Sequence, residues 1–307
     1  MIIASKCAID KVQLKDRNNR GSNYMELHTM PKYFIDKDYT EEFLKMLKEE
    51  NMECISVHSP IKNTYGLGCG VGYKGKVEDK VYLENMELIK KSIIFAEKVI
   101  KQERKICVVH VPDTFKLDFK IDMQKEKENF IKDIKELGEF AKLNAPNVVI
   151  VIENTIRAKD EKTGLEHVAV YGYKDEFVRW VEEANLNNVD VMLDICHLIA
   201  TSNYRKDLGE KDFLTITDYV KSYAPKLSHI HLANSYGYGF LEDHGESFKN
   251  IKEDIFKLKE LEEVLKEINY NGNIVIETTD KDVNKYERYT ETIDTILKNK
   301  IFDKSTF

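Results

Sequence analysis

A chain of 307 residues is long enough to bury a full hydrophobic core, and 42% hydrophobic with 33% charged residues is the balance of a globular protein in water. A formal net charge of −7 excludes a surface that grips nucleic acid all over, although a local basic groove stays open. No apolar run approaches the roughly 18–20 residues of a membrane span, and the opening Met-Ile-Ile-Ala-Ser-Lys-Cys lacks the charged-then-apolar layout of a secretion signal.

In chain order, residues 2–9 form a short β-branched apolar run, a first strand. Residues 10–22 are polar and lack helical periodicity, so a first helix is expected to be degenerate. Residues 24–28 read as a second strand. Residues 39–50 carry Phe43, Leu44 and Leu47 on one face, an amphipathic helix. Residues 54–58 are strand three, stopped by Ser59-Pro60. A glycine-rich loop, 62–76, follows; it does not run from a strand directly into a helix, as a phosphate-cradling loop would. Helix 77–101, strand 106–110, helix 123–143 and strand 148–152 come next. A loop to about residue 173 leads to helix 175–184 and strand 189–193. An irregular segment precedes helix 213–223. Strand 227–232, helix 257–268, strand 274–276 and helix 283–297 close the chain.

Eight short strands alternating with helices imply a parallel sheet with right-handed crossovers, and in about 300 residues this fits a closed (β/α)8 TIM barrel, an α/β fold. A doubly wound open sheet would carry a glycine fingerprint after strand one, and none is there. No linker divides the chain, so residues 1–307 are taken as a single domain. The five cysteines (Cys7, Cys54, Cys69, Cys107, Cys196) are scattered, odd in number and without CxxC. They point to a reducing cytoplasm, and Cys7, Cys54 and Cys107, in strand-like runs, suit small core residues.

The strand ends carry the chemistry. Strand three ends in His58, strand four in His110, strand five in Glu153, and strand six gives Asp194 and His197. Strand seven gives His229 and His231, the loop after it Glu242 and His244, and strand eight Glu277. A carboxylate that directly follows a Val/Ile run is costly without a partner, and a divalent cation would supply one. Glu153, Asp194, His231 and Glu277 are the expected metal ligands. His58, His110, His197, Glu242 and His244 are candidates for additional metal or substrate contacts. Asp194 also suits a helix N-cap, and His229, one layer deeper than His231, suits a hydrogen-bonded core histidine.

The ordered set His58-x-Pro60, His110-x-Pro112, Glu153-Asn154-Thr155, Leu193-Asp194-x-Cys196-His197, His229-x-His231-Leu232, Glu242-x-His244 and Ile276-Glu277-Thr278 resembles the xylose-isomerase-like TIM-barrel superfamily. That group holds sugar and sugar-phosphate isomerases and epimerases, and the endonuclease IV type of AP endonuclease. The resemblance implies a metal core of Glu153, Asp194, His231 and Glu277. In the epimerase branch it holds one divalent ion, zinc or manganese. In the endonuclease branch it is part of a trinuclear zinc cluster completed here by His58, His110, His197, Glu242 and His244. Ala233 stands where an Asp is usual, Glu242 replaces an Asp, and Glu246-Ser247-Phe248 replaces a glycine-rich turn.

Two activities follow as expectations. In the first, a metal-polarised sugar carbonyl is isomerised or epimerised, Glu153 and Glu277 exchange the proton, His197 holds a substrate oxygen and Arg157 meets a phosphate if there is one. In the alternative, clustered ions hydrolyse the phosphodiester of abasic DNA, with Lys62, Lys74, Lys76 and Arg157 at a basic rim. A non-catalytic sugar-binding barrel is a third reading. The expected partner is a small sugar, with nucleic acid only under the alternative, no membrane, and the oligomeric state open.

Overall fold

The computed structural model describes residues 1–35, 37–60, 79–110, 113–115, 123–159, 166–169, 175–212, 215–238 and 244–302. Their elements run β1 (Ile3–Cys7), α1 (Lys11–Asn19), β2 (Tyr24–His28), α2 (Lys32–Ile35), α3 (Thr40–Glu49), β3 (Glu53–His58), α4 (Asp79–Val99), β4 (Lys105–His110), β5 (Asp113–Phe115) and α5 (Met123–Asn144). They continue β6 (Val148–Glu153), β7 (Ala158–Lys159), β8 (Glu166–Ala169), α6 (Glu176–Ala184), β9 (Val189–Asp194), α7 (Ile195–Asp207), α8 (Ile216–Tyr223), β10 (Leu227–Leu232), α9 (Lys252–Glu267), β11 (Asn273–Ile276) and α10 (Glu287–Lys298). The expected eight-stranded barrel is present: β1, β2, β3, β4, β6, β9, β10 and β11 close in that order, and β11 returns to pair in parallel with β1. This is a TIM barrel.

Alternation along each strand decides what faces where. Cys107 and Val109 of β4, Ile150 and Ile152 of β6, Val191 and Leu193 of β9, and Ile274 and Ile276 of β11 pack outward under the helices. Ile106, Val108, Val151 and Met192 fill the barrel interior, with Ala4, Ile55 and Val275 across from them. Above these apolar layers the inward positions turn polar. Register then levels them: His110 pairs with Glu153, and His231 with Asp194. The helices are held chiefly by their apolar faces. In α6, Phe177, Val178, Trp180, Val181 and Ala184 are buried, and each large side chain contributes about 1.5–3 kcal/mol of transfer free energy.

Three expectations are corrected. The first helix is present, not degenerate: α1 spans Lys11–Asn19. Its stabilisation does not come from an apolar stripe. Asp10 caps it by accepting from the Val12 and Gln13 amides, and the buried Arg17 donates to the Val283 carbonyl and lies over the Tyr286 ring. The segment after strand six is the helix α7, which lacks a polar face because it is buried almost all round, from Ile195 through Arg205. The stretch expected as a loop to residue 173 contributes β7 and β8, which join β5 in a three-stranded antiparallel sheet beside the barrel mouth. The glycine-rich loop 62–76 lies outside the described residues. Cys7, Cys54 and Cys107 are buried free thiols, as expected of small core residues, and Cys196 is buried and free as well.

Candidate metal centre

Each barrel strand carries a polar or charged residue at its C-terminal end or one position from it, on the face where active sites of this architecture are built. Glu153, at the end of β6, is buried and central. Its Oε2 lies 2.8 Å from His110 Nε2 and 3.2 Å from His58 Nε2, and these two nitrogens are 3.2 Å apart. His58 Nδ1 is 2.8 Å from the Ser59 carbonyl, which can only accept. That contact puts the ring proton on Nδ1 and turns the Nε2 lone pair toward the cluster. The other oxygen of Glu153 faces elsewhere: Oε1 is 3.5 Å from His231 Nδ1 and 3.8 Å from His197 Nδ1.

Asp194 is the helix N-cap foreseen for it, and its second oxygen faces the cluster. Its Oδ1 caps α7 by accepting from the His197 amide at 3.0 Å. Its Oδ2 lies 3.9 Å from His231 Nδ1 and 3.6 Å from His197 Nε2. Asn154 locks the ends of β6 and β9 together: its Oδ1 accepts from the Asp194 amide and its carbonyl accepts from His197 Nδ1 at 2.8 Å. His197 Nε2 is therefore free of its proton and faces His244 Nε2 at 2.9 Å. His244 is held in place by Gly245, at φ +77°, whose amide meets Cys196 Sγ and whose carbonyl accepts from the Thr279 amide. A Cβ there would come within 2.4 Å of Thr279 Oγ1.

Three confluent ligand groups face the rim: His58, His110 and Glu153; Glu153, Asp194, His231 and Glu277; and Asp194, His197 and His244; a fourth, Glu26, His229 and His231, shares His231, the candidate atoms of each group lying within 4.8 Å of one another. Glu153 and Asp194 each belong to two groups. Nitrogen and oxygen atoms roughly 3.2–3.4 Å apart are what a tetrahedral ion with bonds of about 2.0–2.1 Å requires; in the first group His58 stands at 3.2 Å from both partners, and His110 and Glu153 are closer, at 2.8 Å.

Two participants were not foreseen in the sequence. Glu26 of β2 lies beneath the centre with both oxygens engaged: Oε2 accepts from Ser56 Oγ at 2.8 Å and His229 Nε2 at 3.0 Å, and Oε1 lies 2.9 Å from His231 Nε2 without hydrogen-bonding alignment. His229 is thus the hydrogen-bonded core histidine expected. Lys6 of β1 contacts Glu277 Oε1 and stands 3.7 Å from Glu26 Oε1. The available signal was position alone, since Lys6 and Glu26 are the only Lys or Glu in two short strands and both face inward.

The electrostatics ask for a cation. Burial pushes the Glu153, Glu277 and Glu26 carboxyls upward, but His110 and His231 beside Glu153, His231 and Lys6 beside Glu277, and His231 and His229 beside Glu26 outweigh it. All three are held well below the usual carboxylate range. His231 is raised well above the ordinary imidazole value: burial opposes this, and Glu26 and Glu277 overcome it. Burial holds His58 and His244 below theirs. Four carboxylates (Glu26, Glu153, Asp194, Glu277) converge with one ammonium, Lys6, and one readily protonated imidazole, His231. His231 Nδ1 and Glu277 Oε2 remain buried without a hydrogen-bond partner. These two atoms face each other as an ion pair without hydrogen-bonding alignment, and four carboxylates against two cations leave negative charge that a divalent ion would offset.

Among the other expected residues, Glu242 lies outside the described residues, as do Lys62, Lys74 and Lys76. Arg157 is held on the rim wall, donating to Glu166 Oε1 at 2.9 Å and Glu210 Oε1 at 2.7 Å. Its guanidinium braces the small sheet against the segment after α7, where Arg205 also donates to Glu210. No described helix is long and apolar enough to cross a membrane.

Comparison with known proteins agrees with this architecture. No curated protein sequence matches the chain. Among solved structures, a D-tagatose 3-epimerase-like protein superposes with a TM-score of 0.69 at 17% identity, covering 98% of each chain. The IolI protein with a bound zinc atom gives 0.64 at 16% identity, covering 99% of this chain and 100% of that one. The 3-keto-D-glucoside 4-epimerase YcjR from E. coli gives 0.63 at 16%, covering 98% and 99%. At such identities the likeness is one of fold. The sequence itself matches the family described as the xylose isomerase-like TIM barrel over residues 15–299, and the chain belongs to that family.

Proposed function

We propose that the protein is a divalent-metal-dependent hydrolase of phosphate diesters with a cluster of up to three ions, the endonuclease IV type of chemistry. The observation that carries this reading is Glu153, whose two oxygens face two different ligand groups. Oε2 meets His58 and His110 at 3.2 and 2.8 Å, and Oε1 turns toward His231 at 3.5 Å. A carboxylate so placed suits a bridge between ions. The proton-transfer role expected from the sequence suits it poorly, because a general base needs an oxygen free to reach the substrate carbon and an affinity for the proton near the working pH. Glu277 is similarly occupied by Lys6 and His231.

His58, His110 and Glu153 would hold one ion, Glu153, Asp194, His231 and Glu277 a second, and Asp194, His197 and His244 a third. Bound ions would supply Lewis acidity at a phosphoryl oxygen and a more acidic water. The chain's own contribution is orientation. The Ser59 and Asn154 carbonyls fix the tautomers of His58 and His197, Asp194 is steadied by its capping bond, and the Lys6 ammonium offers positive charge beside Glu277. A second reading is favoured by the epimerases among the structural neighbours: sugar isomerisation or epimerisation with one ion, zinc or manganese, in the Glu153–Asp194–His231–Glu277 group.

Metal analysis of the purified protein, combined with assays on bis(4-nitrophenyl) phosphate, an abasic duplex and a panel of ketohexoses, separates the two. More than one ion per chain with chelator-sensitive diester cleavage is expected. One ion per chain with ketose epimerisation would overturn the hydrolase reading.

A further inference from the structure

We infer that Lys6 sets which divalent ion the central group prefers, by keeping Glu277 a one-oxygen ligand. This rests on reading Glu153, Asp194, His231 and Glu277 as a metal site. Lys6 lies at the C-terminal end of β1, two strands from β10 across the closing β11, and its side chain is nearly buried. Its ammonium contacts Glu277 Oε1, while Glu277 Oε2 faces the cluster, in contact with His231 Nδ1 and without a hydrogen-bond partner. The two oxygens of one carboxylate are thereby divided, one for the lysine and one for the ion.

Glu26 keeps Lys6 there. Its Oε1 lies 3.7 Å from Nζ on the side away from the mouth, so the ammonium sits between two carboxylates. Glu153 and Asp194 are also divided, Glu153 between two groups and Asp194 between the α7 cap and the cluster. The central group therefore offers one atom from each of four residues. A four-atom set of one nitrogen and three oxygens matches the low coordination number of zinc. Ions that favour six oxygen-rich positions, such as manganese, would need the second oxygen of Glu277, which Lys6 holds.

The test is a titration of the metal-free full chain with zinc chloride and with manganese chloride, for the wild type, Lys6→Met and Lys6→Arg. Loss of the ammonium should favour both ions by removing a like charge, and manganese further by releasing Oε1. The zinc-over-manganese preference of Lys6→Met should fall about tenfold, the scale on which residues behind a ligand act. Lys6→Arg should keep the wild-type preference. Should Lys6→Met fail to fold, cobalt(II) absorption of the wild type decides: intense four-coordinate bands are expected, and weak six-coordinate bands alone overturn the proposal. An unchanged preference in a folded Lys6→Met also overturns it, with the metal site itself standing. A wild-type chain that binds neither ion defeats the metal reading beneath it.

Discussion

Replacing Glu26 with glutamine tests whether the layer beneath the centre is held by charge or only by shape. The substitution conserves volume and removes one negative charge from a fully buried position. The carboxylate has four neighbours that are donors or cations: Ser56 and His229 on Oε2, His231 and Lys6 beside Oε1. An amide can satisfy one side only. With its oxygen toward Ser56 and His229, its NH2 opposes the Lys6 ammonium; flipped, it opposes the Ser56 and His229 donors.

Hydrogen bonds to a charged group contribute about 1.5–3 kcal/mol each, and removing one partner of a buried ion pair costs about 3–5 kcal/mol. Because glutamine retains half of the contacts, about 3 kcal/mol is expected. At about 2–4 °C per kcal/mol for chains somewhat shorter than this one, the melting temperature of the metal-free protein should fall by about 6–12 °C. The sign with pH is also fixed. The Glu26 carboxyl is depressed in the folded state, so its stabilisation is present above the ordinary carboxylate range and lost as pH falls through the folded value. The gap between wild type and Glu26→Gln, measured by thermal melts followed by circular dichroism, should therefore narrow in strong acid. A variant melting within about 2 °C of wild type at neutral pH, below the shift expected for even 1 kcal/mol, would refute the argument that this carboxylate anchors the layer.

Asp10→Ala removes the acceptor of the Val12 and Gln13 amides and should cost about 1 kcal/mol in denaturant unfolding; no change would mean that Arg17 alone secures α1. Gly272→Ala places a Cβ within 2.2 Å of the Ser228 carbonyl, backbone against backbone, and should destabilise the protein by about 1–3 kcal/mol. Mild acidification should weaken the metal-free fold. Burial holds His28 (at about 3), His58, His229 and His244 below the ordinary imidazole value. Below about pH 6.5 the unfolded chain takes up protons that these four refuse, at up to about 1.4 kcal/mol per pH unit for each. His231, raised, opposes the trend: its stabilisation is complete below about pH 6.5 and is lost as pH rises through its folded value. A denaturation midpoint unchanged between about pH 7 and about pH 5 would contradict that balance.

The barrel was legible because most strands are short apolar runs, β4, β6 and β9 rich in Val and Ile, and because histidines gather at the ends of those runs, where chance would scatter them. His58, His110, Glu153, Asp194, His197, His231, His244 and Glu277 all lie where that pattern puts them, and the structure brings them into three groups sharing two carboxylates. The helices α1 and α7 escaped notice for opposite reasons. The first has too little apolar periodicity, its weight resting on a cap and an arginine; the second buries polar and apolar residues alike on nearly every face, so no amphipathic pattern marks it. Arg157 shows the limit of composition: a cation near a strand end suits a phosphate, until the carboxylates of Glu166 and Glu210 are found on it.

Lys6 and Glu26 were illegible for a reason that belongs to barrels. In an isolated strand, one charged residue among apolar neighbours reads as the solvent side of an amphipathic strand. Closure reverses that, since the inner face has no solvent side below the mouth, and a charge there must find its counter-charge on another strand. Glu26 finds it on β1 and β10, and Glu277 on β1 and β10 as well. The ring of charges is thus one coupled object. Its upper half is the part proposed to hold a cation, and its lower half of Glu26, His229 and Lys6 fixes where the upper half can point. A change in that lower half should therefore be read in the affinity for the ion as well as in the melting temperature, and an account naming only the ligands would miss half of what sets the site.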